Sequence, residues 1–269
     1  MNNAPVNNIL SKILSKIFGM LLGAFSLMAG SAAQARAADQ LSQVVDSVKP
    51  SIVGIGSFQK TRSPALVFIG TGFAVGDGLT VLTAAHVLQK AVDSENKETL
   101  GVLVGHGDSA EFRRATLSAV DKEHDLARLR IDGAPLPALQ VGDSAKVREG
   151  QSMAFTGFPL GMILGLHHVT HRATVSAITP VMTPLASARQ LDVKRLGQFQ
   201  QATYAVFQLD GTAYPGSSGS PLYDADSGLV YGVINMVYVK GLKETAISAP
   251  SGITYAIPGN YISELMRRP

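Results

Sequence analysis

The 269-residue sequence contains no cysteine. Disulfides, zinc–thiolate centres and a cysteine nucleophile are therefore excluded, and the chain must be held together by packing. Histidine is scarce, with six residues at 86, 106, 124, 167, 168 and 171 and none beyond. Charge is scarce too, at 16% of residues and a net +3. There is no convincing internal repeat and no low-complexity tract. Apolar residues, at 46%, and 27 glycines dominate instead, a composition that suits a turn-rich β protein better than a helical bundle or a disordered chain. The length allows one or two domains and a substantial core.

The first 37 residues carry Lys12 and Lys16, an apolar stretch from Ile17 to about Ala33, and then small residues. That order predicts a secretory signal over 1–37, cleaved after Ala37 with Ala35 and Ala37 at the small-residue positions. Cleavage after Ala35 is the alternative site. An uncleaved anchor is the competing reading, but the stretch is shorter than about 20 residues, holds several Gly and Ser and has no flanking anchor aromatics. Cleavage implies an exported protein, periplasmic or secreted, with no stable membrane insertion. It also removes Lys12, Lys16 and Arg36 from 23 basic residues and none of the 20 acidic ones, leaving a formally neutral chain. Nucleic acid is accordingly not an expected partner.

From Pro50 onward, short β-branched or apolar runs alternate with turns: SIVGIGSF, ALVFIGTGFAV, LTVLT and LGVLVGHGD, then QSMAFTGFP, HHVTHRATVSAI, YAVFQLD, GLVYGVINMVYV and ITYAI. The two series, separated by a polar stretch near 142–150, predict an all-β chain of two barrels. Their bounds are about 48–141 and 151–258, within a domain spanning 38–269. A helix over 259–269 closes the chain, with Ile262, Leu265 and Met266 at helical spacing and Asn260 as candidate cap. The polar segment 179–201, with Arg189, Lys194 and Arg195, reads as a long loop.

The run AYPGSSGSPLY, residues 213–223, holds three serines. A serine nucleophile needs a base and backbone donors aimed at the developing oxyanion. Ser218 has Gly216 two residues before it and Gly219 after it, so the Gly216 and Ser218 N–H groups can face one oxygen. Ser220 is followed by Pro221, which has no N–H, and Ser217 lacks a glycine two before it. A plain Gly/Ser/Pro turn is the bland alternative. Because no histidine follows Ser218, a Ser, acid, His chain order is impossible, while His, Asp, Ser remains open. His86, at the end of TVLTAAHVL, and Asp125, at the head of the strand in EHDLARLRI, are the candidates.

TAAHVL, HDLARLRI and PGSSGSPL, in that order, resemble the trypsin-like serine peptidases. VKPSIVGI, GTGFAVGDGLTVLTAAHVL, VGDSAKVREGQSMAFTGFPLG, GLVYGVIN and ITYAIPGNYISELM narrow the likeness to the HtrA (Deg) branch across nearly all of the chain after residue 37. The resemblance implies two six-stranded Greek-key barrels, with His86 and Asp125 on the first and Ser218 on the second. It implies a serine endopeptidase acting through an acyl-enzyme on unfolded or misfolded polypeptides, without cofactor or metal. It places Thr212, Tyr214, Asn235 and Met236 at the substrate pocket, and a homotrimer by resemblance only. Ser217 and Ser220 depart from the family pattern of Asn and Gly. The pattern's PDZ domains after the terminal helix lie outside this sequence, so regulation through them is not expected. The rival reading from another class is a catalytically inactive trypsin-fold binding or scaffold module of the cell envelope. Metal binding by His167, His168 and His171 is disfavoured, because strand residues three apart face opposite sides.

Overall fold

The structure, a computed structural model, describes residues 40–88, 98–180, 204–235 and 253–268. Among them twelve strands form two closed antiparallel barrels. The first comprises β1 (Ile52–Phe58), β2 (Leu66–Val75), β3 (Thr80–Ala84), β4 (Thr99–Val104), β5 (Glu111–Asp121) and β6 (Leu126–Ile131). The second comprises β7 (Ser152–Gly157), β8 (Val169–Pro180), β9 (Ala205–Asp210), β10 (Pro221–Asp224), β11 (Val230–Asn235) and β12 (Ile253–Pro258). The first barrel runs β1-β2-β3-β6-β5-β4 and closes β4 onto β1. The second runs β10-β11-β12-β9-β8-β7 and closes β7 onto β10. Stepping from β3 to β6 rather than to β4 is the Greek-key connection, and closure leaves no bare edge.

Each barrel is filled by the inward side of its strands. In β6, Ala127, Leu129 and Ile131 are buried while Arg130 is exposed, the period-two pattern of a half-buried strand. The first core gathers Val53, Ile55, Val81, Val102, Leu129 and Ile131. The second gathers Met153, Phe155, Val175, Phe207, Leu209 and Ile234. Each such side chain contributes about 1.5–3 kcal/mol of transfer free energy, which is the stabilisation a cysteine-free chain requires.

The C-terminal helix spans Asn260–Arg267 and buries Ile262 and Leu265, with Met266 half-buried. Its cap differs from the sequence expectation. Gly259 takes the N-cap position without a side-chain cap. The Asn260 amide turns to the connection between the barrels, accepting from Ser144 N at 3.0 Å and donating to Asp143 Oδ1 at 3.2 Å. Ser144 Oγ accepts from Asn260 N in return. A tertiary partner thus takes the side chain that a local cap would have used.

Three elements escaped the sequence reading. Residues 40–48 are helical. Strand β5, with its mostly solvent-facing pattern, shows too little alternation to be read, and β10 is only four residues long. The first two residues of the loop expected over 179–201, Thr179 and Pro180, belong instead to β8. Residues 181–201 and the expected signal over 1–37 lie outside the described residues. No helix among the described residues is long and apolar enough to cross a membrane.

Candidate active site

His86 lies on a one-turn helix, Ala85–Leu88, directly after β3, and Asp125 directly precedes β6. The register Ala84↔Leu126 between β3 and β6 sets the two residues side by side. Four hydrogen bonds fix Asp125. Its backbone carbonyl accepts from Ala85 N at 2.9 Å, and Oδ1 accepts from His86 N at 2.8 Å. Oδ2 is 2.6 Å from His86 Nδ1 and accepts from Asn235 Nδ2 at 2.7 Å. Asp125 has φ +53°, a left-handed conformation that aspartate tolerates better than most side chains. The preceding turn is itself pinned. Asp121 Oδ1 accepts from the Glu123 and His124 N–H groups, and Oδ2 pairs with His124 Nδ1 and Arg268 Nη2, each at 2.8 Å. The His124 ring stacks on Tyr261 of the C-terminal helix, centroids 3.8 Å apart. Burial alone would push the Asp121 carboxyl up, but the His124 hydrogen bonds and the His124 and Arg268 charges together hold it below the usual carboxylate value.

The three serines separate by exposure. Ser217 Oγ and Ser220 Oγ are buried with no hydrogen-bond partner among the described residues, whereas Ser218 keeps 8% of its surface. No hydrogen bond joins Ser218 Oγ to the His86 ring among the described residues. The two regions nevertheless converge. A Cβ placed on Gly70 of β2 would lie 2.8 Å from the side chain of Val87, the neighbour of His86, and 3.2 Å from the Ser218 carbonyl oxygen.

Peptide by peptide, the Ser218 loop is almost fully bonded. The Pro215 carbonyl accepts from Leu160 N at 2.6 Å, and the Gly216 carbonyl accepts from Thr71 Oγ1 at 2.7 Å. Ser217 N donates to Tyr214 O, and Ser217 O accepts from Ser220 N. Ser218 O accepts from Thr71 N, and Gly219 N donates to Ile234 O, both at 2.9 Å. From residue 216 to 220, only the Gly216 and Ser218 N–H groups have no acceptor among the described residues. Backbone donors are rarely left unpaired without a reason. Gly216 and Gly219 have φ +100° and +89°, and added Cβ atoms would sit 2.5 Å from Phe158 O and 2.0 Å from Thr71 O respectively. Only glycine fits either position.

Of the expected pocket residues, Thr212 and Tyr214 are half-buried. Asn235 is fully buried, with its amide donating to the Asp125 carboxylate. Met236 lies outside the described residues. Thr254, which no sequence motif singles out, accepts from Ala213 N at 2.9 Å and donates to Gly211 O at 2.7 Å, fixing the segment around Thr212.

Of the remaining histidines, His171 comes within 6.1 Å of Tyr214, ring centroid to ring centroid. His171 stacks on Phe155, and His168 lies against Phe158 and the Ile52 carbonyl. Burial lowers the pKa of each ring. Among the described residues no cluster of three or more histidine or acidic side chains is arranged to hold a metal ion.

Comparison with known proteins follows the same outline. The family model described as trypsin-like peptidase domain matches residues 70–233. Serine protease HTRA3 of Homo sapiens is 28% identical over 232 residues, covering 84% of this chain and 44% of that protein. Mitochondrial serine protease HTRA2 of Bos taurus is 31% identical over 233 residues, covering 85% and 43%. The probable periplasmic serine endoprotease DegP-like of Halomonas elongata is 28% identical over 191 residues, covering 71% and 32%. The chain thus spans less than half the length of these relatives. Among solved structures, the HtrA-type protease AlgW with decapeptide superposes with a TM-score of 0.60 at 21% identity, covering 84% of this chain and 66% of that one, a likeness of fold. A family model that spans most of both barrels, on a chain whose curated relatives are HtrA proteases, leads to one assignment: the chain belongs to the trypsin-like peptidase domain family.

Proposed function

We propose that the chain is a serine endopeptidase in which Ser218 is the nucleophile, His86 the general base and Asp125 the residue that orients His86. The observation that carries this reading is the pairing pattern of the Ser218 loop, where the two donors with no acceptor among the described residues, Gly216 N and Ser218 N, are the ones an oxyanion would need. Asp125 Oδ2 against His86 Nδ1 favours the tautomer with the proton on Nδ1, which leaves Nε2 free to accept the Ser218 proton. Attack on a scissile carbonyl then gives a tetrahedral intermediate whose oxygen takes both N–H bonds. Collapse transfers the proton from His86 to the leaving amine, and water repeats the cycle on the acyl-enzyme. A Ser218–His86 hydrogen bond that closes only around substrate is common in such sites.

Within this reading, Thr212 and Tyr214 border the primary pocket. Uncharged Thr212 disfavours a buried lysine or arginine, so cleavage follows small or medium apolar residues in unfolded polypeptides. The probable periplasmic DegP-like relative supports export, in keeping with a signal over 1–37 followed by a peptidase domain over 38–269. The open Ser218–His86 pair is also what an inactive trypsin-fold module would show, so the test must separate the two.

A fluorophosphonate offered to the folded protein is expected to label wild type and not Ser218→Ala. Casein is expected to be cut by wild type alone, with sites mapped by mass spectrometry after Val, Ala, Ile or Leu. Folded protein that takes no label would sustain the module reading, and cuts clustered after Lys, Arg or Glu would overturn the pocket.

A further inference from the structure

Thr71 stands on β2 of the first barrel, is fully buried, and reaches the Ser218 loop of the second barrel with both its backbone and its side chain. Its N–H donates to the Ser218 carbonyl. Its hydroxyl has one proton and two acceptor lone pairs. The proton goes to the Gly216 carbonyl at 2.7 Å, and one lone pair accepts from Phe158 N at 3.1 Å. Thr83 Oγ1 donates to the Thr71 carbonyl at 2.7 Å, which ties Thr71 to β3.

Two peptide planes meet at Gly216 Cα. One is the Pro215–Gly216 plane, which carries the Gly216 N–H, and the other is the Gly216–Ser217 plane. Gly216 has φ +100° and no Cβ, so little local resistance opposes rotation of either plane. Each must be held from outside. The Thr71 hydroxyl holds the second plane directly through the Gly216 carbonyl. It also holds Phe158, two residues before Leu160, whose N–H grips the Pro215 carbonyl and so fixes the first plane. In a trans peptide the N–H points opposite to the carbonyl. Gripping the Pro215 carbonyl therefore sets the direction of the Gly216 N–H.

We infer that the Thr71 hydroxyl is a positioning group for the oxyanion site, fixing both peptide planes around Gly216 so that the Gly216 N–H is aimed before substrate arrives. This deepens the peptidase reading and rests on it. Thr71 touches no reacting atom; its effect passes through Gly216. Loss of the hydroxyl should weaken stabilisation of the tetrahedral intermediate and leave ground-state binding nearly unchanged.

The test uses the full chain with a chromogenic peptide, a peptide aldehyde and a fluorophosphonate. Thr71→Val keeps the β-branched shape and removes the donor, while Thr71→Ser keeps the donor. For Thr71→Val, kcat is expected to fall by about tenfold or more, since removal of a whole oxyanion donor costs about 100- to 1,000-fold. KM should change by less than about twofold, and the aldehyde, which binds as a tetrahedral adduct, should lose affinity by the same factor as kcat. A non-reactive peptide should bind Ser218→Ala and the Thr71→Val/Ser218→Ala double variant equally well. Thr71→Ser should recover most of kcat. Should Thr71→Val fail to fold, Thr71→Cys, a weaker donor of similar size, must fall between Ser and wild type on one side and inactivity on the other. Wild type that labels while Thr71→Val retains its full labelling rate and kcat overturns the inference alone, as does equal loss of aldehyde and ground-state affinity. Wild type that never labels overturns the peptidase reading itself.

Discussion

At the scale of single residues, the nucleophile question turns on burial as much as on sequence context. Three serines stand within four positions, and two of them have hydroxyls sealed from solvent with no partner among the described residues. An unpaired buried hydroxyl costs about 1–3 kcal/mol. Ser217→Ala and Ser220→Ala should therefore leave fluorophosphonate labelling intact and raise thermal stability slightly, by up to about 1 kcal/mol each after the loss of packing. Loss of labelling in either variant, or a clear drop in melting temperature, would show that the hydroxyl has a partner or a role. His86, Asp125 and Ser218 could be singled out from sequence because each side chain's chemistry is visible in its letter and its neighbours. Thr71 and Thr254 could not, and Asn235 could be singled out for the pocket and not for Asp125, because such roles depend on apposition: Thr71 meets Gly216 across 145 positions, and Asn235 meets Asp125 across 110.

The element that does most beyond its size is the C-terminal helix. Helical spacing made it legible, but spacing says nothing about what its ends touch. Arg268, just past the helix, reaches Asp121 in the turn that presents Asp125, and Tyr261 covers His124 in the same turn. Arg128 in turn donates to the carbonyls of Leu265, Met266 and Arg268. Asp121 is the buried centre of this latch, while the Arg268 side chain is 44% exposed. Asp121→Ala removes the acceptor for several donors at once and should cost about 3 kcal/mol. Arg268→Ala breaks one partly solvated pair and should cost about 1 kcal/mol or less. Urea denaturation gives both values, and equal losses would mean that the turn is not centred on Asp121. Strands were readable where one face was apolar, as in β6, and unreadable where both faces were mixed, as in β5.

For the molecule as a whole, the half-buried His168 and His171 predict how stability follows pH. Burial holds His171 and His168 below the ordinary histidine value, so the folded chain keeps these rings neutral where the unfolded chain would protonate them. The unfolded state then binds more protons as pH falls below about 6.5. Their contribution is complete above that value and drains away as pH drops from there towards the lower folded values. His171→Phe keeps the stack on Phe155 and removes the titrating group, so its melting temperature should fall less between pH 7.5 and 5 than that of wild type. Parallel curves would exclude His171 as a contributor.

The inter-barrel bonds at Thr71 and Asn235 also order events in time. A chain emerging from its N-terminus presents His86, Thr71 and Asp125 long before Gly216, Ser218 and Asn235 exist to meet them, and Arg268 arrives later still. The first barrel can close on its own strands, yet it holds only half of the constellation. On the proposed peptidase reading, competence of the site is thus a late, all-or-none outcome of synthesis, and a truncated or half-folded copy would carry the residues of one barrel with no means of cutting its neighbours.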